Sequence, residues 1–183
     1  MNEQETSQVL AAVRRWVEQV VIGLDLCPFA QRELLAERVR FVVSDAETEQ
    51  DLLLQANDEL ALLESQDDIG TTLLIHPLVL TDFLAYNQFL DAVDAMLVEL
   101  DLEGVYQFAS FHPDYQFAGT NPDDPENYTN RSPWPILHIL REDSLEAAIE
   151  HYPDVAGIPD RNVSRMNAMG TAALKRLIRA IAS

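Results

Sequence analysis

The chain has 183 residues, the length of one ordinary domain, and 48% of them are hydrophobic, which is enough for a buried core. Its 12 basic and 31 acidic residues give a formal net charge of -19. Binding to nucleic-acid phosphates needs clusters of Lys and Arg, whereas Lys175 is the one lysine of the chain. We therefore expect neither a nucleic-acid-binding protein nor a protein that binds an anionic membrane surface.

The amino terminus and the cysteine content predict a cytoplasmic protein. Residues 1–6 lack the positive region and the apolar stretch of a secretory signal peptide. Cys27 is the single cysteine, so it has no partner for an intramolecular disulfide, which is typical of a reducing compartment. The apolar runs are too short to span a bilayer.

Along most of the chain the apolar spacing alternates between a helical period and an extended one. Residues 136–140 fit a strand and a short helix equally well. The predicted elements, in chain order, are a helix over 6–24, a short helix from 28, a strand over 38–44, a helix over 53–63, a strand over 71–75, a helix over 82–100, a strand over 105–111, the ambiguous segment 136–140, a helix over 144–152 and a last helix over 163–181.

Residues with capping chemistry mark the ends of several predicted helices. Cys27 is the predicted N-cap of the short second helix, and Thr81 is the predicted N-cap of the helix over 82–100. Gly104 is the predicted residue after the end of that helix. Asp143 and Glu146 have the spacing of a capping box before the following helix.

Strands that alternate with helices indicate right-handed crossovers and mostly parallel pairing. We therefore predict a single α/β domain over residues 1–183, with a small, mostly parallel or mixed sheet of three to four strands covered by helices. Residues 112–135 form a Pro-, Asn-, Asp- and Gly-rich connection between the third predicted strand and the ambiguous segment 136–140. Connections longer than about 15 residues tend to be functional or flexible.

Two histidines follow predicted strands. His76 ends the second predicted strand and His112 ends the third, so parallel strands would bring both imidazoles to the sheet edge where α/β proteins bind ligands. Asp114 follows two residues after His112, on the same side of an extended chain. The alternative is two unrelated imidazoles, each hydrogen-bonded to a backbone carbonyl.

Cys27 has two opposite interpretations. At a helix N-cap its sulfur would face the positive end of the helix dipole, which favours a reactive thiolate. Its neighbours Leu26 and Phe29 are apolar, and free cysteine is often a buried, inert residue.

Arg131, with its neighbours Asn130 and Tyr128, lies near the end of the long connection. A guanidinium beside such polar groups is suited to bind the carboxylate or phosphate of a small anionic molecule. The alternative is that Arg131 neutralises acidic residues of the same loop.

The residue types of Cys27, His76 and His112 also fit a zinc site, with either Asp114 or His138 as the fourth ligand. No pair among them has the local spacing of a zinc motif. His138 lies in an apolar segment, where a histidine is commonly hydrogen-bonded within the core.

Three stretches of the chain are similar to the signature blocks of a bacterial family, domain-of-unknown-function family 1415. They are residues 21–30 (VIGLDLCPFA), residues 109–120 (ASFHPDYQFAGT), and residues 127–133 (NYTNRSP) with the segment from 137 that follows. The resemblance spans nearly the whole chain and implies no catalytic assignment. His76-Pro77 and Asp82-Phe83 also fit the pattern of the family. The resemblance favours treating the polar residues of these segments as one constellation: Cys27, His76, His112, Asp114, Arg131 and His138.

Three functions follow from these patterns. The first is a thiol-dependent hydrolase or transferase for a small anionic metabolite, with Cys27 as nucleophile, His112 or His76 as general base and Arg131 binding the anion. The second is a mononuclear zinc site for hydrolysis or metal binding. The third is a non-catalytic module whose acidic surface attracts a basic protein partner. The sequence does not indicate an oligomeric state.

Overall fold

A computed structural model describes residues 1–150 and 152–182 of the chain. The helices are α1 (Glu3–Trp16), which continues as a π-helix over Val17–Ile22, α2 (Ala30–Leu35), α3 (Glu49–Ser65), α4 (Phe83–Glu99), a 3₁₀ helix over Pro125–Thr129, α5 (Glu142–Glu150), α6 (Ile158–Met169) and α7 (Thr171–Ala182). The strands are β1 (Val39–Val43), β2 (Thr71–Ile75), β3 (Tyr106–Phe111) and β4 (Ile136–Arg141). No helix in these ranges combines the length and apolar character needed to cross a bilayer.

The four strands form one mixed sheet in the order β1-β2-β4-β3. β1 and β2 are parallel, whereas β4 is antiparallel to both of its neighbours. β1, β2 and β3 therefore run in the same direction, and β4 is inserted between β2 and β3 in the opposite one. The predicted α/β class is confirmed, and the ambiguous segment from 136 is a strand.

Each face of the sheet packs against its own group of helices, because successive side chains of a strand point to opposite sides. Leu74 of β2 faces α3 and α4, whereas Leu73 and Ile75 face α1 and α7. The first core is built on buried residues of α3 and α4, including Leu52, Leu60, Leu63, Tyr86, Val93 and Leu97. The second core includes Val13, Trp16, Met166, Leu174 and Ile181.

Two predicted helix starts are wrong. α2 begins at Ala30, its N-cap position is Phe29, and no side chain caps it, so Cys27 lies before the helix and does not cap it. The N-cap of α4 is Asp82 and not Thr81, because the Asp82 carboxylate accepts a hydrogen bond from the Ala85 N–H at 2.9 Å. Threonine and aspartate are both good N-caps, so the sequence does not show which of the two neighbours, Thr81 or Asp82, begins the helix.

The predicted end of α4 at residue 100 agrees with the structure, but the predicted role of Gly104 is wrong. The last helical residue is Glu99 and Leu100 is the C-cap. Asp101 then takes the left-handed conformation with φ 58°, while Gly104 lies further on, in the turn before β3. An aspartate tolerates this conformation better than most residues, so the glycine is not needed there.

The last two predicted helices differ from the structure in their boundaries. α5 begins at Glu142, directly after β4, so Asp143 lies inside its first turn and forms no capping box with Glu146. The predicted end of this helix at 152 crosses His151, which lies outside the described residues. The helix predicted over 163–181 is two helices, α6 and α7, which are separated by Gly170 with φ 75°.

The first predicted helix has the right extent but changes its type. After Trp16 the chain widens into a π-helix, in which the N–H of Gly23 donates to the Glu18 carbonyl at 3.0 Å. π-helical segments are rare, and an apolar period of three or four residues does not distinguish them from α-helix.

Candidate functional site

Two predicted site residues meet at one edge of the sheet. β2 and β3 run in the same direction, so His76 and His112, which follow them, both lie at their carboxyl ends. The N–H of His76 donates to the Pro135 carbonyl at 3.0 Å, and the N–H of His112 donates to the Asn130 carbonyl at 3.2 Å. The segment that enters β4 is therefore tied to both strand ends.

Both imidazoles are fully buried and lie among aromatic rings of α4. The His76 ring stacks on Tyr86, with ring centroids 5.5 Å apart and an interplanar angle of 23°. The His112 ring lies 5.3 Å from the same tyrosine and 5.4 Å from Phe83. Burial lowers the pKa of His76 to about 4 and lowers that of His112, so both rings are neutral at neutral pH.

The hydrogen bonds define the tautomers of these neutral rings. His112 Nδ1 accepts from the Asp114 N–H at 3.0 Å, so Nε2 carries the proton and donates to the Leu80 carbonyl at 3.3 Å. His76 Nδ1 donates to the Val79 carbonyl at 3.0 Å, and its buried Nε2 has no partner within the described part of the chain. Asp114 is exposed, and its hydrogen bond to His112 comes from the backbone N–H, while its carboxylate acts on the imidazole through its charge.

Arg131 is buried and binds the protein itself. Its Nε donates to the Tyr115 carbonyl at 3.1 Å, and its Nη2 donates to the Pro122 carbonyl at 2.7 Å. The ring of Tyr128 lies 4.5 Å from the centre of the guanidinium. These two hydrogen bonds stabilise the closed conformation of the long connection. Arg131 is therefore shielded from solvent, and no carboxylate of the described residues lies within ion-pair distance of it.

The other predicted residues of this loop also stabilise its fold. Asn130 Nδ2 donates to the Ser110 carbonyl at 3.1 Å, and the ring of Tyr128 is buried. Asp123, one of the acidic residues considered as a partner for Arg131, forms its ion pair with Lys175 at 2.6 Å.

Cys27 is half-buried in the segment between the π-helix and α2. The backbone of this segment is held by α6, where Asn162 Nδ2 donates to the Leu26 carbonyl at 2.8 Å. Leu26 belongs to the core that faces α1 and α7, whereas His76 and His112 pack on α4 at the other face of the sheet. Among the described residues no hydrogen bond joins the thiol to an imidazole, so the predicted thiol–imidazole pair is not assembled.

His138 lies in β4 and contacts the neighbouring strand β2 of the sheet. Its Nε2 is 2.7 Å from the Thr71 hydroxyl, which donates to the Ile139 carbonyl at 2.5 Å. Burial lowers the pKa of His138 to about 4. Over residues 1–150 and 152–182, no group of three or more His, Cys, Asp or Glu side chains is arranged to hold a metal ion. The zinc set predicted from residue types is thus divided between the two faces of the sheet.

A cleft of about 490 Å³ opens at the same edge of the sheet, beside α1. One wall is the polar side of α1, a second is the loop after His76, and a third is the segment that precedes β4. We call it the Trp134 cleft, and its lining residues are Met1, Glu5, Gln8, Val9, Ala11, Arg15, Pro77, Leu78, Trp134 and Ala182.

Two hydrogen-bond donors distinguish the Trp134 cleft. The indole Nε1 of Trp134 is buried and has no hydrogen-bond partner within the described ranges. The half-buried guanidinium of Arg15 donates from Nε and Nη2 to the Ile181 carbonyl, at 3.2 and 2.7 Å. Within the described ranges the Nη1 group of Arg15 makes no hydrogen bond, so it is a natural contact for a ligand oxygen.

A comparison with protein-family models agrees with the resemblance found in the three sequence blocks. A family model described as a protein of unknown function (DUF1415) matches residues 8–176. The chain belongs to the DUF1415 family. The comparisons with curated proteins and with solved structures gave no match. The DUF1415 match covers both buried histidines and Arg131 as well as Arg15 and Trp134, so it includes the principal polar groups of the cleft.

Sequence reasoning did not identify Arg15 and Trp134 in this DUF1415 protein. Arg15 follows Arg14 on a helix, and the pattern does not show which of the two is half-buried. Trp134 stands between Pro133 and Pro135 at the end of the long connection. The two flanking prolines restrict the backbone at Trp134, and this restriction is the one local feature of the sequence that distinguishes the residue.

Proposed function

We propose that this DUF1415 protein binds a small organic molecule in the Trp134 cleft. The observation that supports the proposal most directly is the cleft itself, whose lining combines the ring of Trp134 and Leu78 with the half-buried guanidinium of Arg15. The volume of about 490 Å³ lies within the usual range of small-molecule pockets, about 300–1,000 Å³. The lining also combines apolar side chains with few polar groups, as such pockets do.

The position of the cleft in the fold supports the same function. In α/β proteins ligands bind beyond the carboxyl ends of parallel strands, and the cleft reaches β2 at that end through Pro77 and Leu78. The hydrogen bond from His76 to Val79 stabilises the loop that carries these two residues. The buried histidine thus supports a wall of the proposed site and is not itself a contact of the ligand.

Intrinsic fluorescence tests the proposal because the chain has two tryptophans, of which Trp134 lines the cleft and Trp16 is buried in the core. The variant Trp16→Phe leaves Trp134 as the one indole. We expect octanoate or its neutral analogue octanamide to change the Trp134 emission saturably below about 10 mM. Calorimetric titration of the unaltered chain gives the same affinity without the Trp16 substitution.

A matched pair of substitutions locates the binding. Ala11 lines the cleft, whereas Ala172 is exposed on α7 outside it. Ala11→Leu should fill part of the cleft and weaken binding at least about tenfold, which is about 1.4 kcal/mol, while Ala172→Leu should leave it unchanged. The proposal fails if neither probe binds, or if Ala11→Leu binds both probes as tightly as the original chain does.

A further inference from the structure

We infer that the ligand of the Trp134 cleft is a small organic acid whose carboxylate binds Arg15, and whose apolar body lies against Leu78 and the ring of Trp134. This inference rests on the proposed function and names the chemical class of its ligand. It concerns a part of α1 and a residue before β4 that are separate from the buried histidines.

The charge environment of Arg15 is the first reason. The chain has 31 acidic and 12 basic residues, yet no carboxylate of the described residues lies within ion-pair distance of this half-buried guanidinium. Its neighbour Arg14 is exposed and lies 4.2 Å from the Phe41 ring centroid. Arg15 makes its hydrogen bonds through Nε and Nη2 to one carbonyl oxygen, that of Ile181. Within the described ranges the donors on Nη1 have no acceptor, so they are left for a ligand.

The second reason is that the guanidinium of Arg15 demands one kind of partner. A guanidinium has only donors and no acceptor capacity. The group that satisfies it must be an acceptor, and a carboxylate offers two oxygens to a planar guanidinium. A dianionic phosphate fits less well, because among the described residues that line the cleft Arg15 supplies the one guanidinium, and the carboxylate of Glu5 lines it too.

The apolar part of the lining defines the rest of the ligand. Val9 is buried in the core, Pro77 has no N–H to offer, and Leu78 exposes 40% of its surface at the cleft. An exposed leucine beside a proline and a tryptophan ring favours a hydrocarbon chain or ring over a polyhydroxylated body. A small carboxylic acid with an apolar body therefore matches both halves of the cleft.

The test compares octanoate with octanamide, which has the same shape and no charge, by calorimetric titration. We expect octanoate to bind at least about tenfold more tightly to the original chain. Arg15→Gln should weaken octanoate binding about ten- to hundredfold and change octanamide binding less than about threefold, because only the charge-assisted contact is lost. Arg14→Gln is the matched control and should change neither affinity.

The outcomes separate this inference from the proposed function. If octanoate and octanamide bind equally to the original chain, the cleft binds a ligand but the carboxylate assignment is wrong. Tighter binding of octyl phosphate than of octanoate also overturns the assignment. If neither octanoate nor octanamide binds, both proposals fall. The comparison on the original chain decides the question even if Arg15→Gln does not fold.

Discussion

His76 and His112, which end different strands, bind neighbouring carbonyl oxygens of one loop. His76 Nδ1 donates to Val79 at 3.0 Å, and His112 Nε2 donates to Leu80 at 3.3 Å. Leu80 has φ 56°, in the left-handed region that leucine disfavours. The two imidazoles therefore stabilise a loop conformation that its own backbone does not favour, and the same loop forms one wall of the Trp134 cleft.

Mild acid should destabilise the protein because His76 and His138 are buried in their neutral forms. Burial lowers the pKa of each ring to about 4, whereas an unfolded histidine titrates near 6.5. Between these values the unfolded chain binds protons that the folded chain does not, so the free energy of unfolding falls as the pH falls. Each ring should lower it by up to about 2 kcal/mol between pH 7 and pH 5, as measured by urea unfolding.

Removal of one titrating ring is the control for this pH dependence. His76→Gln and His138→Gln should each show a smaller loss of unfolding free energy between pH 7 and pH 5, whatever their stability at pH 7. If both variants lose as much stability as the original chain over that interval, another group causes the effect.

Arg131 should contribute to stability and not to ligand binding. Arg131→Gln removes the donors to the carbonyls of Tyr115 and Pro122 and should lower the free energy of unfolding by about 2–4 kcal/mol. The exposed Arg176 is the control, and Arg176→Gln should stay within about 0.5 kcal/mol of the original chain. Urea unfolding measures both. A fully stable Arg131→Gln variant that no longer binds octanoate would restore Arg131 as the anion-binding residue.

The start of α4 gives a prediction with a neighbouring control. Asp82→Ala removes the carboxylate that accepts from the Ala85 N–H and should cost about 1 kcal/mol of unfolding free energy. Thr81→Ala, one residue earlier, should cost only a few tenths of a kcal/mol because Thr81 does not cap the helix. Thermal unfolding of the two variants would show the reverse order if Thr81 were the cap.

Cys27 should react as an ordinary, partly covered thiol. It precedes α2 without capping it and is half-buried, so we expect iodoacetamide to modify it no faster in the native protein than in urea. Mass spectrometry of timed samples gives both rates. A native rate well above the rate in urea would instead support the thiolate nucleophile predicted from the sequence.

The predicted strands match β1, β2 and β3 closely, because alternation and apolar runs are properties of a continuous segment. The position of His76 and His112 directly after their strands follows from the same local patterns. That both reach one edge of the sheet also agrees with the prediction, since β2 and β3 run in the same direction. Family membership was likewise carried by contiguous blocks of residues.

Tertiary structure alone decided what the polar groups bind. β4 inserts antiparallel between β2 and β3, and a short apolar segment does not encode which distant strands it pairs with. Arg131 binds carbonyls nine and sixteen residues away in a loop without any period, so its residue type did not reveal whether a ligand or the backbone would meet it. Arg15 and Trp134 line one cleft because α1 and the segment before β4 meet at one edge of the sheet. A guanidinium or an indole has the same chemistry wherever it stands in a sequence. Its hydrogen-bond partner depends on which distant segments the folded chain brings close to it.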